Sequence, residues 1–136
     1  MDVRGRSMRV LLATDEASYA DAIYGVADEL GLDVTAMSTG SDIEASARRI
    51  GANVVVFDAG DDFAPTVRAA VAFAEVHPGV LVCVTATGVD DHLNDGWAGP
   101  VLVVHRWRSP ERLLDRLSRA YLAMPVTSEL RSSVGP

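Results

Sequence analysis

A chain of 136 residues is long enough for one compact core and not obviously for two. Its composition, 49% apolar and 23% charged, is that of a globular domain, and its formal charge of −7 argues against a sequence-independent grip on nucleic acid or an anionic membrane surface. No apolar run approaches the roughly 20 residues of a membrane helix, and the start "MDVRGRSM" lacks a signal peptide's apolar core, so a cytoplasmic protein is expected.

Residues 1–7 read as a disordered leader, with Met8 able to serve as a start. From Met8 two kinds of segment alternate. Five short β-branched runs stand at 8–14, 32–38, 53–58, 79–85 and 100–105. They are continuously apolar rather than alternating, as in strands buried on both faces of a parallel sheet. The one cysteine, Cys83, lies inside the fourth run and reads as a small core residue.

Helical patterns fill the gaps. Glu16 to Leu30 places Tyr19, Ala22, Ile23, Val26, Ala27 and Leu30 on one face, and Gly31 supplies the stop. "SDIE" at 41–44 is a capping-box pattern ahead of Ile43, Ala47 and Ile50, closed by Gly51. A third helix spans about Pro65 to Val76, with Val67, Ala70, Val71 and Ala74 inward. The stretch 86–99 holds three glycines and only Val89, Leu93 and Trp97 at near-helical spacing, which predicts a short or degenerate fourth helix. The last helix opens with Ser109 as N-cap, Pro110 at its first position and Glu111 in the first turn; Leu113, Leu114, Leu117 and Tyr121 form its buried side. Residues 125–136 carry no core pattern and read as a disordered tail or linker, which leaves 8–124 as the domain.

This alternation predicts an α/β fold: a single doubly wound five-stranded parallel sheet in the order 2-1-3-4-5, flavodoxin-like. That order reverses at strands 1 and 3, whose carboxyl ends form the functional crevice of such sheets. Asp58 ends the third strand, and Asp15 and Glu16 follow the first.

With those residues in place the chain resembles the receiver domain of two-component response regulators, over roughly residues 8–124. "TDE" at 14–16 is similar to the acidic pair after the family's first strand, and "VVVFD" at 54–58 to the strand ending in the phosphoacceptor. "VTA" at 84–86 is similar to the strand ending in its hydroxyl residue, and "VVHRWRSPERL" at 103–113 to the region around its lysine. The resemblance implies Asp58 as phosphoacceptor, Thr85 as phosphoryl-binding hydroxyl, and a weakly held Mg²⁺ on Asp15, Asp58 and the Gly60 carbonyl. It implies a histidine kinase or other signalling protein as partner in a phosphorelay, and no enzyme activity of the chain's own. The departures mark an atypical receiver or pseudo-receiver. Thr14 stands at the first acidic position, so the site carries one negative charge fewer than usual. His105 or Arg106 stands for the lysine, and Leu102 or Val103 for the aromatic switch residue.

Plainer readings stand beside these. Asp58 caps a helix or pairs with Arg106; Asp15 caps the first helix; Thr85 is a strand-end hydroxyl; Asp61 and Asp62 are solvated loop charges. His77, His92 and His105 have no metal-ligand spacing. No glycine-rich phosphate loop or nucleophile–base pair appears, which disfavours an enzyme of this fold. Two functions follow: a receiver that accepts a phosphoryl group on Asp58 and switches protein–protein interactions, or a phosphorylation-independent interaction or dimerisation module. In either, the face around Trp97, Trp107 and the arginines at 112, 116 and 119 is the candidate partner surface, a homodimer being the simplest case.

Overall fold

β-Branched runs become strands, and the amphipathic segments between them become helices. A computed structural model describes residues 8–60, 62–86, 96–106 and 109–124. In chain order the elements are β1 (Arg9–Ala13), α1 (Ala17–Leu30), β2 (Asp33–Met37), α2 (Ile43–Ile50), β3 (Val54–Asp58), α3 (Phe63–Val76), β4 (Leu81–Ala86), β5 (Gly96–Ala98), β6 (Val101–His105) and α4 (Pro110–Ala123). The sheet order is β2-β1-β3-β4-β6-β5. All neighbours are parallel except β5 and β6. The expected 2-1-3-4-5 parallel sheet is therefore present, with one short antiparallel strand added at its edge.

That added strand replaces part of the expected fourth helix. Ala98 pairs with Val101 across Gly99 and Pro100, and Gly99 has φ of 61°, the left-handed region that two-residue hairpin turns with a leading glycine require. Proline and two flanking glycines are poor helix residues, and pairing with β6 satisfies the backbone instead. The expectation for 87–95, including Val89, His92 and Leu93, falls outside the described residues, as do the leader, the tail, Asp61 and Trp107.

The sheet is sandwiched between two helix pairs. α1 and α4 cover one face, where Ile23, Leu113, Leu114 and Leu117 pack on Val10, Leu12, Val54, Val56, Cys83 and Leu102. α2 and α3 cover the other, where Ala47, Ala70 and Ala74 pack on Leu11, Val55, Val82, Val84 and Val101. Small helix residues on this second face bring the helix backbones close to a sheet of valines. Ala22 and Leu30, expected on the buried side of α1, are exposed, since the stripe narrows to Ala20, Ile23 and Ala27.

The caps show which local signals carried. Ser109 accepts from Arg112 N and Pro110 opens α4, as expected. Gly31 and Gly51 close α1 and α2 in the left-handed conformation. The α2 cap is Asp42, which accepts from Ala45 N, one residue later than the capping-box pattern placed it. α1 has Glu16 at its N-cap with no side-chain cap bond, so Asp15 does not cap it. No helix among the described residues is long and apolar enough to cross a membrane.

Leu12, 1% exposed in β1, is held by the α1/α4 core, whereas Leu122 is 68% exposed. Leu12→Ala is expected to cost about 2–5 kcal/mol and Leu122→Ala under about 0.5 kcal/mol, measured by urea unfolding at constant m-value.

Candidate functional site

Strand alternation decides which side chains meet at the carboxyl edge of the sheet. Successive strand residues point to opposite faces. Val10 and Leu12, Val54 and Val56, and Leu102 and Val104 all lie in the core under α1 and α4, as do Leu81 and Cys83. Two residues further along each chain stand Thr14, Asp58, Arg106 and Thr85, respectively. The four functional side chains thus extend the same face, past the last apolar layer. His105 shares its parity with Val101 and Val103, which face α2 and α3. Arg106 is accordingly the residue of this pair that reaches Asp58, and His105, read beside it as a replacement for the family lysine, belongs to the opposite side.

Asp58 is buried, and both its oxygens are engaged. Thr14 Oγ1 donates to Oδ2 at 2.6 Å, and Thr85 Oγ1 donates to Oδ1 at 3.1 Å. Arg106 Nη2 lies 3.1 Å from Oδ2. The same Nη2 lies 3.0 Å from Glu16 Oε1, while Nη1 donates to Glu16 Oε2 at 3.1 Å. The guanidinium therefore hydrogen-bonds Glu16 through Nη1, while Nη2 lies at ion-pair distance from both Glu16 and Asp58. Its carbon sits 4.2 Å from the centroid of the Tyr19 ring, a cation–π contact from the first turn of α1. The Arg106 amide donates to Ala86 O at 2.9 Å, fixing the backbone that carries the side chain.

The electrostatics follow from this geometry. Burial works against the Arg106 charge, but the Glu16 hydrogen bond and the nearby Asp58 and Glu16 carboxylates outweigh it, so its pKa rises further. Glu16 is pulled below the ordinary carboxylate value by its hydrogen bond to Arg106 and by that charge. Burial pushes the Tyr19 hydroxyl up to about 12, with the adjacent Thr85 hydroxyl opposing the rise.

A cavity of about 280 Å³ opens over this edge, and Asp15, Asp58, Gly60 and Asp62 are among its lining residues. Asp15 and Asp58 therefore share one crevice, but their carboxylates serve different partners. Asp15 accepts from Thr39 N at 3.0 Å and from Thr39 Oγ1 at 2.6 Å, which lowers its pKa and ties the β1–α1 loop to the loop after β2. As arranged, the expected magnesium set does not fit a divalent cation. The Asp58 oxygens already hold two hydroxyls and a guanidinium, and both Asp15 oxygens are committed to Thr39. Among the described residues no group of three or more acidic, histidine or cysteine side chains is arranged to hold a metal.

Two participants were not assigned a role by sequence reasoning: Glu16 as the partner of Arg106, and Tyr19 as its stacking surface. Their spacing of three along the start of α1 put them on one helix face, but nothing local to α1 says which cation arrives there.

No protein-family model matches the sequence, and no curated protein matches it. Solved structures do. A signal receiver domain of a putative LuxO repressor from Vibrio parahaemolyticus superposes with a TM-score of 0.66 at 14% identity, covering 96% of this chain and 99% of that one. HP1043, an orphan response regulator of H. pylori, matches with a TM-score of 0.59 at 16% identity, over 85% of this chain and 97% of its own. The pseudo-receiver domain of CikA matches with a TM-score of 0.54 at 15% identity, over 88% and 99%. At these identities the likeness is one of fold: the chain has the flavodoxin-like fold of receiver and pseudo-receiver domains.

The Glu16–Arg106 pair gives the site an acid-sensitive component. A carboxylate whose folded pKa lies below its ordinary 4.5 stabilises the fold above that value and loses the contribution as pH falls through the folded pKa. Wild type is expected to be more stable than Glu16→Gln at neutral pH, with the difference shrinking below pH 4.5; urea midpoints of the two proteins across pH 7 to 3 measure it.

Proposed function

We propose that this domain is a pseudo-receiver: a signalling interaction module of receiver fold that works without phosphotransfer, in the cytoplasm. The observation that carries this reading is the ligation of Asp58 by Thr14, Thr85 and Arg106. An aspartate that attacks phosphorus must present an oxygen lone pair to it, and the transferred group needs a cation to spread its charge over. Here the cation is already paired with two carboxylates, and the attacking group already accepts from two hydroxyls with a guanidinium nitrogen 3.1 Å away. Incubation with acetyl phosphate and magnesium is expected to leave the intact mass unchanged. A phosphoryl mass gain that disappears in Asp58→Asn would overturn the reading.

The second reading, an atypical receiver that accepts a phosphoryl group from a histidine kinase on Asp58, is favoured by one observation: Thr85 hydrogen-bonds the carboxylate from β4 beneath an open crevice. It requires Arg106 to leave Asp58 and to take up a phosphoryl oxygen instead.

For partner binding we take the face formed by β5 and α4. Trp97 on the edge strand is 53% exposed, and with Arg116, Arg119, Ala120 and Met124 it lines a shallow cavity of about 380 Å³. Exposed aromatic and arginine side chains together are the usual anchors of an interface. α4 also carries exposed Glu111 and Asp115 beside Arg112 and Arg119, so one copy of the helix offers both signs to a second copy. Trp97→Ala and Arg116→Glu are each expected to weaken self-association by about tenfold or more in sedimentation velocity, and a wild type that stays monomeric at high concentration would remove the homodimer.

A further inference from the structure

We infer that the Tyr24 hydroxyl closes the outer edge of β2 against strand addition, so that a second copy of the chain can pair its own β2 there only when that hydroxyl is removed. This goes beyond the pseudo-receiver reading and does not depend on Asp58. β2 is an end strand of the sheet, paired along one side with β1 from Asp33 to Met37. Its other side is an edge, and an open edge is a template for another chain.

Backbone alternation decides which groups lie on that edge. Thr14 N donates to Met37 O at 2.9 Å, so Met37 turns its peptide groups toward β1. Thr35 shares that parity, and Val34 and Ala36 turn theirs outward. The outward amide of Ala36 is already used: it donates to the Tyr24 hydroxyl oxygen at 2.7 Å. The carbonyl of an added strand would have to stand about 2.9 Å from the same nitrogen, so the phenol oxygen holds the place that strand needs. Tyr24 reaches this point from α1 with 40% of its surface exposed, so burial alone does not account for its position. Groups on either side of the strand are also taken locally. Leu32 N donates to Ala27 O at 2.8 Å, and Ser38 O accepts from Ser41 N at 3.2 Å. Val34 is left as the outward amide of β2 with no such cap among the described residues.

The strand would suit a second copy of itself if the edge were clear. A two-fold axis at Thr35 sets Val34 of one copy opposite Ala36 of the other, and these outward-facing residues exchange amide and carbonyl bonds in an antiparallel pair. Thr35 then meets Thr35, a favourable cross-strand pair, and Asp33 meets Met37, so no like charges face each other. The Ala36 amide is a required donor in both copies, and the Tyr24 hydroxyl withholds it from both.

The test uses Tyr24→Phe, which keeps the ring and removes the oxygen. Amide hydrogen exchange read by NMR should give Ala36 a protection factor about tenfold or more above that of Val34 in wild type, and a similar value for the two in Tyr24→Phe. Sedimentation velocity then compares Trp97→Ala with the Trp97→Ala, Tyr24→Phe double variant, so that the β5 and α4 face contributes equally to both. The double variant should associate at a concentration about tenfold lower. Should Tyr24→Phe fail to fold, the wild-type exchange data decide. An Ala36 amide that exchanges like Val34 in wild type overturns the inference. So does one that stays protected in Tyr24→Phe, or equal association of the two Trp97→Ala proteins. The pseudo-receiver reading falls instead to a phosphoryl mass gain on wild-type Asp58, which none of these measurements reports.

Discussion

The buried ion pair between Asp58 and Arg106 is the constraint around which the carboxyl edge of this domain is arranged. Asp58, its side chain 4% exposed, ends a central strand whose other residues are all apolar. An unpaired carboxylate in that position is costly. Its neutralisation brings in one group from each strand nearby: Thr14 following β1, Thr85 in β4 and Arg106 following β6. Removing one member of such a pair costs about 3–5 kcal/mol, because the other charge stays behind. The exposed pairs Arg48–Glu44 and Arg119–Asp115 on the helices are worth only about 0.3–0.5 kcal/mol each.

Arginine suits this position in a way lysine does not. Its planar head offers one edge to Glu16, one nitrogen to Asp58 and a face to the Tyr19 ring at the same time. Three contacts in three directions join the start of α1, the end of β3 and the end of β6. The first helix is thereby fastened to the far side of the switch point through a side chain rather than through its own cap, which Glu16 does not provide. Asp15 does the corresponding work on the other flank by holding Thr39.

A phosphorylation switch works by changing charge at one site and letting a bistable element respond. In this molecule the acidic end is already neutralised from within, and the residues that would respond are engaged in the resting state. On the pseudo-receiver reading proposed above, the fold would serve as a fixed platform, with the exposed tryptophan of the edge strand beside the arginines of α4 as its contact face.

The sequence by itself determined the layered fold. Continuous β-branched runs such as Val54–Phe57 are tolerated only where both sheet faces are covered, and the helices between them announce their ends through Gly31, Gly51, Ser109 and Pro110. It also brought Asp15, Asp58, Thr85 and Arg106 to one end of the sheet, because strand order and chain direction follow from the alternation. The tertiary structure alone decided how those residues pair. Whether Arg106 or His105 faces Asp58 depends on which face of β6 packs under α4, and Asp15's choice of Thr39 depends on a loop that is distant along the chain. The edge strand at Gly96–Ala98 was hidden for the same reason: three residues have no periodicity to read, and only the neighbouring β6 makes them a strand. Periodicity is local and visible in one chain segment, whereas a salt bridge or an edge pairing is chosen by distances that exist only after the segments have packed.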